Sequence, residues 1–372
     1  LAASTLAAVH QGALARANEL LLIDLSTDQL DADRVERITP GELHNTKLQL
    51  IEQIERNFRT AMSLPEGSVA WFPSGRDAAD FAFRWLIKSL KGPKTVTHVP
   101  NAYLFRPLIL RKMTWHHDTP TDVRALPADV NFQVEELAPF ATSGGNGVLA
   151  LENPNDALGA VGWEFSQLQR VAKAWRPGGG AVFVDGSRLP YIALQGQGTV
   201  LDHLSIADLV MVSTGKLSNG GKGACVFGDP YTIEILRRQR DEAMGQSGGI
   251  QLQLLPVVEH LQRQAEFFDD ENTYQQTLRA RHGLATQLAE RLAGIQGLHV
   301  ETSTNMVFLS PTGTSNAQTL KDLLRAARIK PKLMHTGKHR LTIHDGLSNV
   351  DIESVANRIL AQMELSARHA HR

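Results

Sequence analysis

Ala181-Val182-Phe183-Val184-Asp185-Gly186-Ser187-Arg188 and, further on, Ala207-Asp208-Leu209-Val210-Met211-Val212-Ser213-Thr214-Gly215-Lys216 share one plan: a short apolar run that breaks into turn residues carrying charge. The glycine-rich Asn219-Gly220-Gly221-Lys222-Gly223 follows and leads into a third run, Ala224-Cys225-Val226-Phe227. Each run is β-branched or aromatic, too short for a helix and bounded by turn formers, which predicts three buried strands. Open α/β sheets hold their ligands beyond the carboxyl ends of the strands. Asp185, Arg188 and Lys216 are therefore expected to meet at one sheet edge.

Working outward, short apolar runs alternate with helical patterns from about residue 69 to residue 227, the pattern of a mostly parallel sheet covered by helices. Trp71-Phe72-Pro73-Ser74-Gly75-Arg76-Asp77 leads into an alanine-rich helix over residues 78–90. A Ser-Gly turn opening a helix presents backbone N–H groups and the positive end of the helix dipole, a seat for phosphate; Ser is also a routine N-cap. Further runs lie at 95–99, 108–110 and 148–151, and a helix at 164–175 is broken by Arg176-Pro177-Gly178-Gly179-Gly180. Upstream, residues 2–20 read as a helix, 21–28 as an extended segment into a turn, and 47–62 as an amphipathic helix with Leu48, Ile51, Ile54 and Phe58 on one face.

Beyond Pro230 the character changes. Helical patterns at 231–241, 250–266 and 271–293 precede strand candidates at 298–302 and 305–309, a helix at 316–327, a strand at 339–344 and a final helix at 349–363. The expected organisation is an N-terminal helix and arm (1–30), a large α/β domain (31–250) and a smaller C-terminal α+β domain (251–372).

With 372 residues, 42% of them hydrophobic and 21% charged, the chain has the makeup of a soluble globular protein of more than one domain. A net charge of −1 gives no electrostatic ground for nucleic acid or an anionic membrane as partner. The cluster Arg237-Arg238-Gln239-Arg240 reads as the solvated face of a helix. A single cysteine, Cys225, excludes an internal disulfide framework and a multi-cysteine metal site, and within its apolar run it reads as a small buried hydrophobe. No apolar stretch reaches membrane-span length. Residues 1–22 contain Arg16 and Glu19 and lack a secretory signal pattern, so a cytoplasmic protein is expected.

A lysine and a carboxylate at strand ends match the needs of pyridoxal 5′-phosphate (PLP), whose aldehyde is held by an amine and whose pyridine nitrogen is kept protonated by an acid. A nucleotide loop at residues 215–223 is the weaker alternative. There, Gly221-Lys222 is followed by Gly223 rather than Ser or Thr, and the earlier glycine of that motif is missing.

Six stretches extend this chemistry to a family: Phe72-Pro73-Ser74-Gly75, Val184 to Arg188, Ser213 to Gly223, Met244-Gly245-Gln246-Ser247-Gly248, Thr304-Asn305-Met306-Val307-Phe308 and Arg340-Leu341-Thr342-Ile343-His344-Asp345. In this order the sequence resembles the low-specificity threonine aldolases and related β-eliminating lyases, which are fold-type I PLP-dependent enzymes. The resemblance implies that Lys216 forms the internal aldimine, with Lys222 as rival, and that Asp185 pairs with the pyridine nitrogen. It further implies that Arg188 lies near the cofactor's phenolic oxygen or the substrate carboxylate, and that Ser74, Gly75 and Arg76 cradle the phosphate. Thr27 and Arg340 fall where the family binds the amino-acid carboxylate, and assembly into a homodimer or homotetramer with interfacial active sites is implied.

The chain departs from the family at Asn101 and Asn155, where histidines are usual, at Gly245 in place of an arginine, and at Ser187 in place of an alanine. Asn101 stands at the cofactor-stacking position. An amide is no general base, so the expected aldol cleavage or β-elimination stands beside an alternative, a PLP-binding protein with other chemistry or little catalysis. Tyr103, His98, His116 and His117 are the replacements within reach of sequence, each with an ordinary packing role as its simpler reading.

Overall fold

The computed structural model describes residues 40–91, 94–115, 121–126, 147–155, 162–218, 221–246, 254–312, 316–334, 337–344 and 347–370. Thr27, the helix expected over 2–20, His116 and His117 lie outside these residues. The described residues fall into two compact units, a larger one running to Gln276 and a smaller one from Thr277.

The larger unit begins with helix α1 (Pro40–Ala61), strand β1 (Val69–Phe72), helix α2 (Gly75–Ser89) and strand β2 (Thr95–His98), then the short helix α3 (Pro107–Leu110) and strands β3 (Asp122–Ala125) and β4 (Val148–Glu152). Helix α4 (Phe165–Trp175), strand β5 (Ala181–Asp185), helices α5 (Leu189–Leu194) and α6 (Val200–Ile206) and strand β6 (Leu209–Val212) follow. Helix α7 (Thr214–Ser218), strand β7 (Ala224–Gly228) and helices α8 (Pro230–Gln246) and α9 (Leu254–Phe267) complete it.

Its seven strands form one sheet in the order β1-β7-β6-β5-β4-β2-β3. Only β7 runs against its neighbours in this sheet; the other pairings are parallel. β5 and β7 are buried along their whole length, which is why they read as continuous apolar runs rather than alternating ones. Ala78, Ala79, Ala82 and Phe83 of α2 pack on Ala70, Met211 and Val226 in a shared core. The small side chains let the helix lie close to the sheet, and each fully buried large apolar side chain contributes about 1.5–3 kcal/mol.

The smaller unit holds most of helix α10 (Glu271–Leu292), then strands β8 (Leu298–Ser303) and β9 (Met306–Pro311), helix α11 (Ala317–Ala326), strands β10 (Lys332–Leu333) and β11 (His339–Thr342) and helix α12 (Asn349–Ala370). Its sheet is antiparallel throughout, in the order β10-β11-β9-β8. Leu288, Leu309, Leu324, Leu341 and Val355 form its core. Among the described residues no helix is long and apolar enough to cross a membrane.

Two expectations are corrected. The run at 108–110 is helical: Pro107 presets the first turn, and Leu108, at 74% exposed, has no sheet face to bury against. The cluster at 237–240 is not a solvated face. Arg240 is buried and its Nη1 bonds Glu55 at 2.6 Å, while Arg237 Nε bonds the same carboxylate at 3.0 Å; only Arg238 is largely exposed. Strand β3 was not expected at all, because its largely exposed Asp-Val-Arg-Ala sequence lacks an apolar run.

Candidate active site

The strand directions gather the sequence-predicted residues of the larger unit at one edge of its sheet. Every strand of that sheet except β7 ends there, and β7 begins there. Ser74, Gly75 and Arg76 follow β1, Asn101 and Tyr103 follow β2, Glu152 closes β4, Asp185 closes β5 and Lys216 follows β6.

Asp185 is 4% exposed. Its Oδ1 accepts from the Ser187 backbone N–H at 3.1 Å and from the Ser187 hydroxyl at 2.8 Å, and its carbonyl accepts from Asn153 N at 2.9 Å. Donors on a buried carboxylate offset the cost of removing its charge from water. The side chain of Ser187, one of the departures noted above, thus holds the acid in place. Gly186 lets the chain pass close to β6: its N–H bonds Met211 O at 2.8 Å, and a Cβ would meet that oxygen at 3.1 Å. Arg188 is buried at the start of α5, and the Ser187 carbonyl accepts from Ser213 N at 3.4 Å, joining the two loops.

Lys216 sits in the single turn of α7, half-buried, with its Nζ 5.7 Å from the centre of the Tyr103 ring. The turn is fixed from two sides. Gly215 N bonds Gly223 O at 3.1 Å, and Thr214 Oγ1 donates to Gln264 Oε1 at 2.6 Å. The amide of Gln264 also donates to Lys222 O at 3.0 Å and accepts from Trp71 Nε1 at 3.0 Å. Lys222 itself is exposed.

At the start of α2, Ser74 is the N-cap: its Oγ accepts from Asp77 N at 3.2 Å and donates to Asp77 Oδ2 at 2.7 Å. The first N–H groups of the helix have no intrahelical partner, and Gly75 stands against Met211 of β6, whose Sδ would be 3.7 Å from an added Cβ. Arg76 is half-buried.

Asn101 is exposed with φ of 59°, a left-handed conformation that asparagine tolerates. Asn155 is fully buried, and its amide donates to Pro100 O at 3.3 Å. His98 stacks on Phe105 at 4.2 Å and donates from Nδ1 to Val99 O at 2.8 Å; burial lowers its pKa, against the opposing pull of that bond. His203, fully buried, donates from Nδ1 to Thr199 O at 2.8 Å, so its Nε2 accepts from the Asn153 amide at 2.9 Å. Burial lowers its pKa too, and the neutral ring braces the Glu152–Asn155 turn. Arg340 belongs to the smaller unit, buried on β11 opposite Phe308 of β9.

Three residues of the large unit, Glu152, Arg106 and Gln264, escape sequence reasoning, and Tyr103 entered it only as a stand-in for the family histidines. Glu152, 4% exposed, lies beside Asp185 in register, and its Oε2 accepts from Tyr103 N at 2.6 Å, which fixes the tyrosine. Tyr103 and Arg106 form a stack, with the guanidinium carbon 5.2 Å from the ring centre. Gln264 is an ordinary-looking helix residue. Only the position of Glu152 at a strand end carried a signal.

No protein-family model matches the sequence, and no curated protein matches it. Solved structures do match in fold. A candidate aromatic amino acid β-eliminating lyase/threonine aldolase from Exiguobacterium sp. 255-15 superposes with a TM-score of 0.66 at 19% identity, over 88% of this chain and 95% of that one. A candidate L-allo-threonine aldolase from Listeria monocytogenes gives 0.63 at 17% identity, over 88% and 94%. A cysteine desulfurase from Escherichia coli gives 0.63 at 16%, over 90% and 89%. The chain therefore has the α/β fold of the fold-type I PLP-dependent enzymes.

Proposed function

We propose that this protein is a PLP-dependent enzyme acting on an amino acid, a lyase that cleaves the Cα–Cβ bond or eliminates a β-substituent. The observation that carries the reading is a half-buried lysine amine over an aromatic face, on the turn that follows the strand next to the one ending in buried Asp185.

The residues fit the cofactor. Asp185 is a buried acid already held by two donors, Lys216 is an amine in a braced turn, and the N-terminus of α2 lies against β6. Lys216 would hold the aldehyde, Asp185 the pyridine nitrogen, Ser74, Gly75 and Arg76 the phosphate, and Asn101 would border the ring. When bound, PLP withdraws electrons from a bond to the substrate Cα.

The chain's own residues set which bond that is. Arg188 holds the substrate carboxylate and so fixes the rotation about the bond from the amine to Cα. Lys216 takes or returns the proton at Cα. Ser187 holds the Asp185 carboxyl group in place by donating to Oδ1 from its backbone N–H and its hydroxyl. The exposed position of Asn101 and the engagement of the Asn155 amide with Pro100 O favour a second reading, PLP binding with racemisation, transamination or little turnover. The proposed substrate is a small amino acid, and assembly as a homodimer or homotetramer is checked by sedimentation.

Purified protein titrated with PLP should develop a visible absorbance band, and borohydride reduction followed by peptide mass spectrometry should find the label on Lys216. Lys216→Ala should lose both. A band retained in that variant, or a label on Lys222, would overturn the assignment. Among products, glycine or a β-elimination product supports the lyase, and a keto acid with a stoichiometric amino transfer opposes it.

A further inference from the structure

Arg106 links the Tyr103–Phe105 turn to α3, and its side chain makes no capping bond there. Its Nε and Nη2 are buried and have no hydrogen-bond partner. These two atoms form one edge of the guanidinium fork, the edge whose parallel N–H groups take a carboxylate in a bidentate way. The Tyr103 face attracts the charge but offers no comparable acceptor, and buried donors left unmet are costly.

Position decides what the missing acceptor is. Arg106 and Lys216 both stand over the ring of Tyr103, at 5.2 and 5.7 Å from its centre. The backbone that carries the ring is held by Glu152, whose Oε2 accepts from Tyr103 N. Arg106 follows β2, which is separated from β6 by β4 and β5. The N-terminus of α2, the proposed phosphate seat, lies instead against Met211 of β6. The unfilled fork is thus carried on the far side of Asp185 from the phosphate seat, near the amine that marks where the substrate nitrogen comes.

We propose that Arg106 binds an oxyanion on the substrate's side chain, so that the site favours an acidic, carboxylate-bearing amino acid over a neutral one. This rests on the PLP reading above for the position of the substrate amine, while the anion site itself rests on Arg106 alone.

The test uses full-length wild type, Arg106→Gln and Arg106→Lys. Succinate and acetate binding are measured by calorimetry with and without PLP, L-aspartate and L-alanine binding with it, and the affinities for PLP and pyridoxal are measured by absorbance titration. The expected result in Arg106→Gln is a loss of succinate and L-aspartate affinity on the order of thirtyfold or more, with acetate weakened alongside succinate, L-alanine unchanged and partial recovery in Arg106→Lys.

Unchanged succinate and aspartate binding would overturn the proposal. So would a loss shared equally by aspartate and alanine, which makes Arg106 a prop for Tyr103, or a loss confined to PLP relative to pyridoxal, which makes the anion the cofactor's phosphate. If the wild type takes up no PLP, the functional reading fails on that ground, while succinate binding that depends on Arg106 without PLP still tests the anion site.

Discussion

A methyl group added to Gly215 would stand 2.1 Å from the carbonyl oxygen of Gly221 and 3.1 Å from the backbone nitrogen of Gly223. Both obstacles are backbone, so neither can swing aside, and overpacking of this kind costs about 1–3 kcal/mol or more. Gly215→Ala is therefore expected to lower the urea midpoint and to displace the turn carrying Lys216, with PLP uptake lost in proportion. Gly283 is the contrast. It lies inside α10 with nothing within 4 Å of an added Cβ, and Gly283→Ala should raise stability by about 0.5–1 kcal/mol through helix propensity. Equal effects at the two positions would show that the Gly215 turn is not the tight closure described. The placement of Asp185 and Lys216 at the ends of neighbouring strands was legible because each follows a short apolar run that breaks into turn residues. Gln264 was not, since what marks it is a set of partners distant in sequence, Trp71, Thr214 and Lys222; Tyr103 could be named as a stand-in for the missing histidines, but its tie to Glu152 and its stacking with Arg106 appear only in the fold.

Helix α8 shows the same boundary at the level of an element. Its periodicity marked a helix, but a run of three arginines in four residues does not say which guanidinium faces inward. Packing against β1 decides it: Arg240 Nη1 reaches Glu55 Oε1 at 2.6 Å and Trp71 O at 2.8 Å, and the other Glu55 oxygen receives Arg237. Glu55 also accepts from Trp71 N at 2.8 Å, so one carboxylate ties α1, β1 and α8 together. Burial works to lower the Arg240 pKa, but the charge and bonds of Glu55, with those of Asp241, outweigh it and the net shift is upward. Removing one partner of a buried pair leaves the other charge unmet. Glu55→Ala is expected to cost about 3–5 kcal/mol, read as a drop in the denaturant midpoint. A change of less than about 1 kcal/mol, the range of an exposed pair, would return the cluster to the solvated role that sequence assigned it. Long helices and fully buried strands were readable from their spacing. The edge strand β3 and the helix after Pro107 were not, because neither buries a continuous apolar row.

For the molecule as a whole, acid sensitivity follows from histidines kept neutral inside each unit. In the larger unit, burial lowers the pKa of His98 and of His203; in the smaller, burial lowers that of His339, whose Nε2 donates to Ala317 O at 2.7 Å. The sign follows from where the proton binds first. As pH falls through about 6.5 the unfolded histidines become protonated while the folded ones do not, so the unfolded state holds more protons and stability drops. The loss continues until the lowered folded-state pKa values are passed, with a slope of at most about 1.4 kcal/mol per pH unit for each histidine. Asp202 and Asp351 are lowered by their capping bonds to Thr199 and Ser348, and their contribution is lost only at lower pH, below about 4. Urea unfolding followed by near-ultraviolet circular dichroism should therefore show a midpoint that is flat near pH 8 and falls between about pH 6.5 and pH 5, before the carboxylate window opens. His203→Gln, less stable overall because it disturbs the bond to Asn153, should nonetheless show a shallower fall than the wild type across that interval. A midpoint that stays level down to about pH 5, or a slope that His203→Gln leaves as steep as before, would mean that these rings take up protons in the folded chain as readily as in the unfolded one.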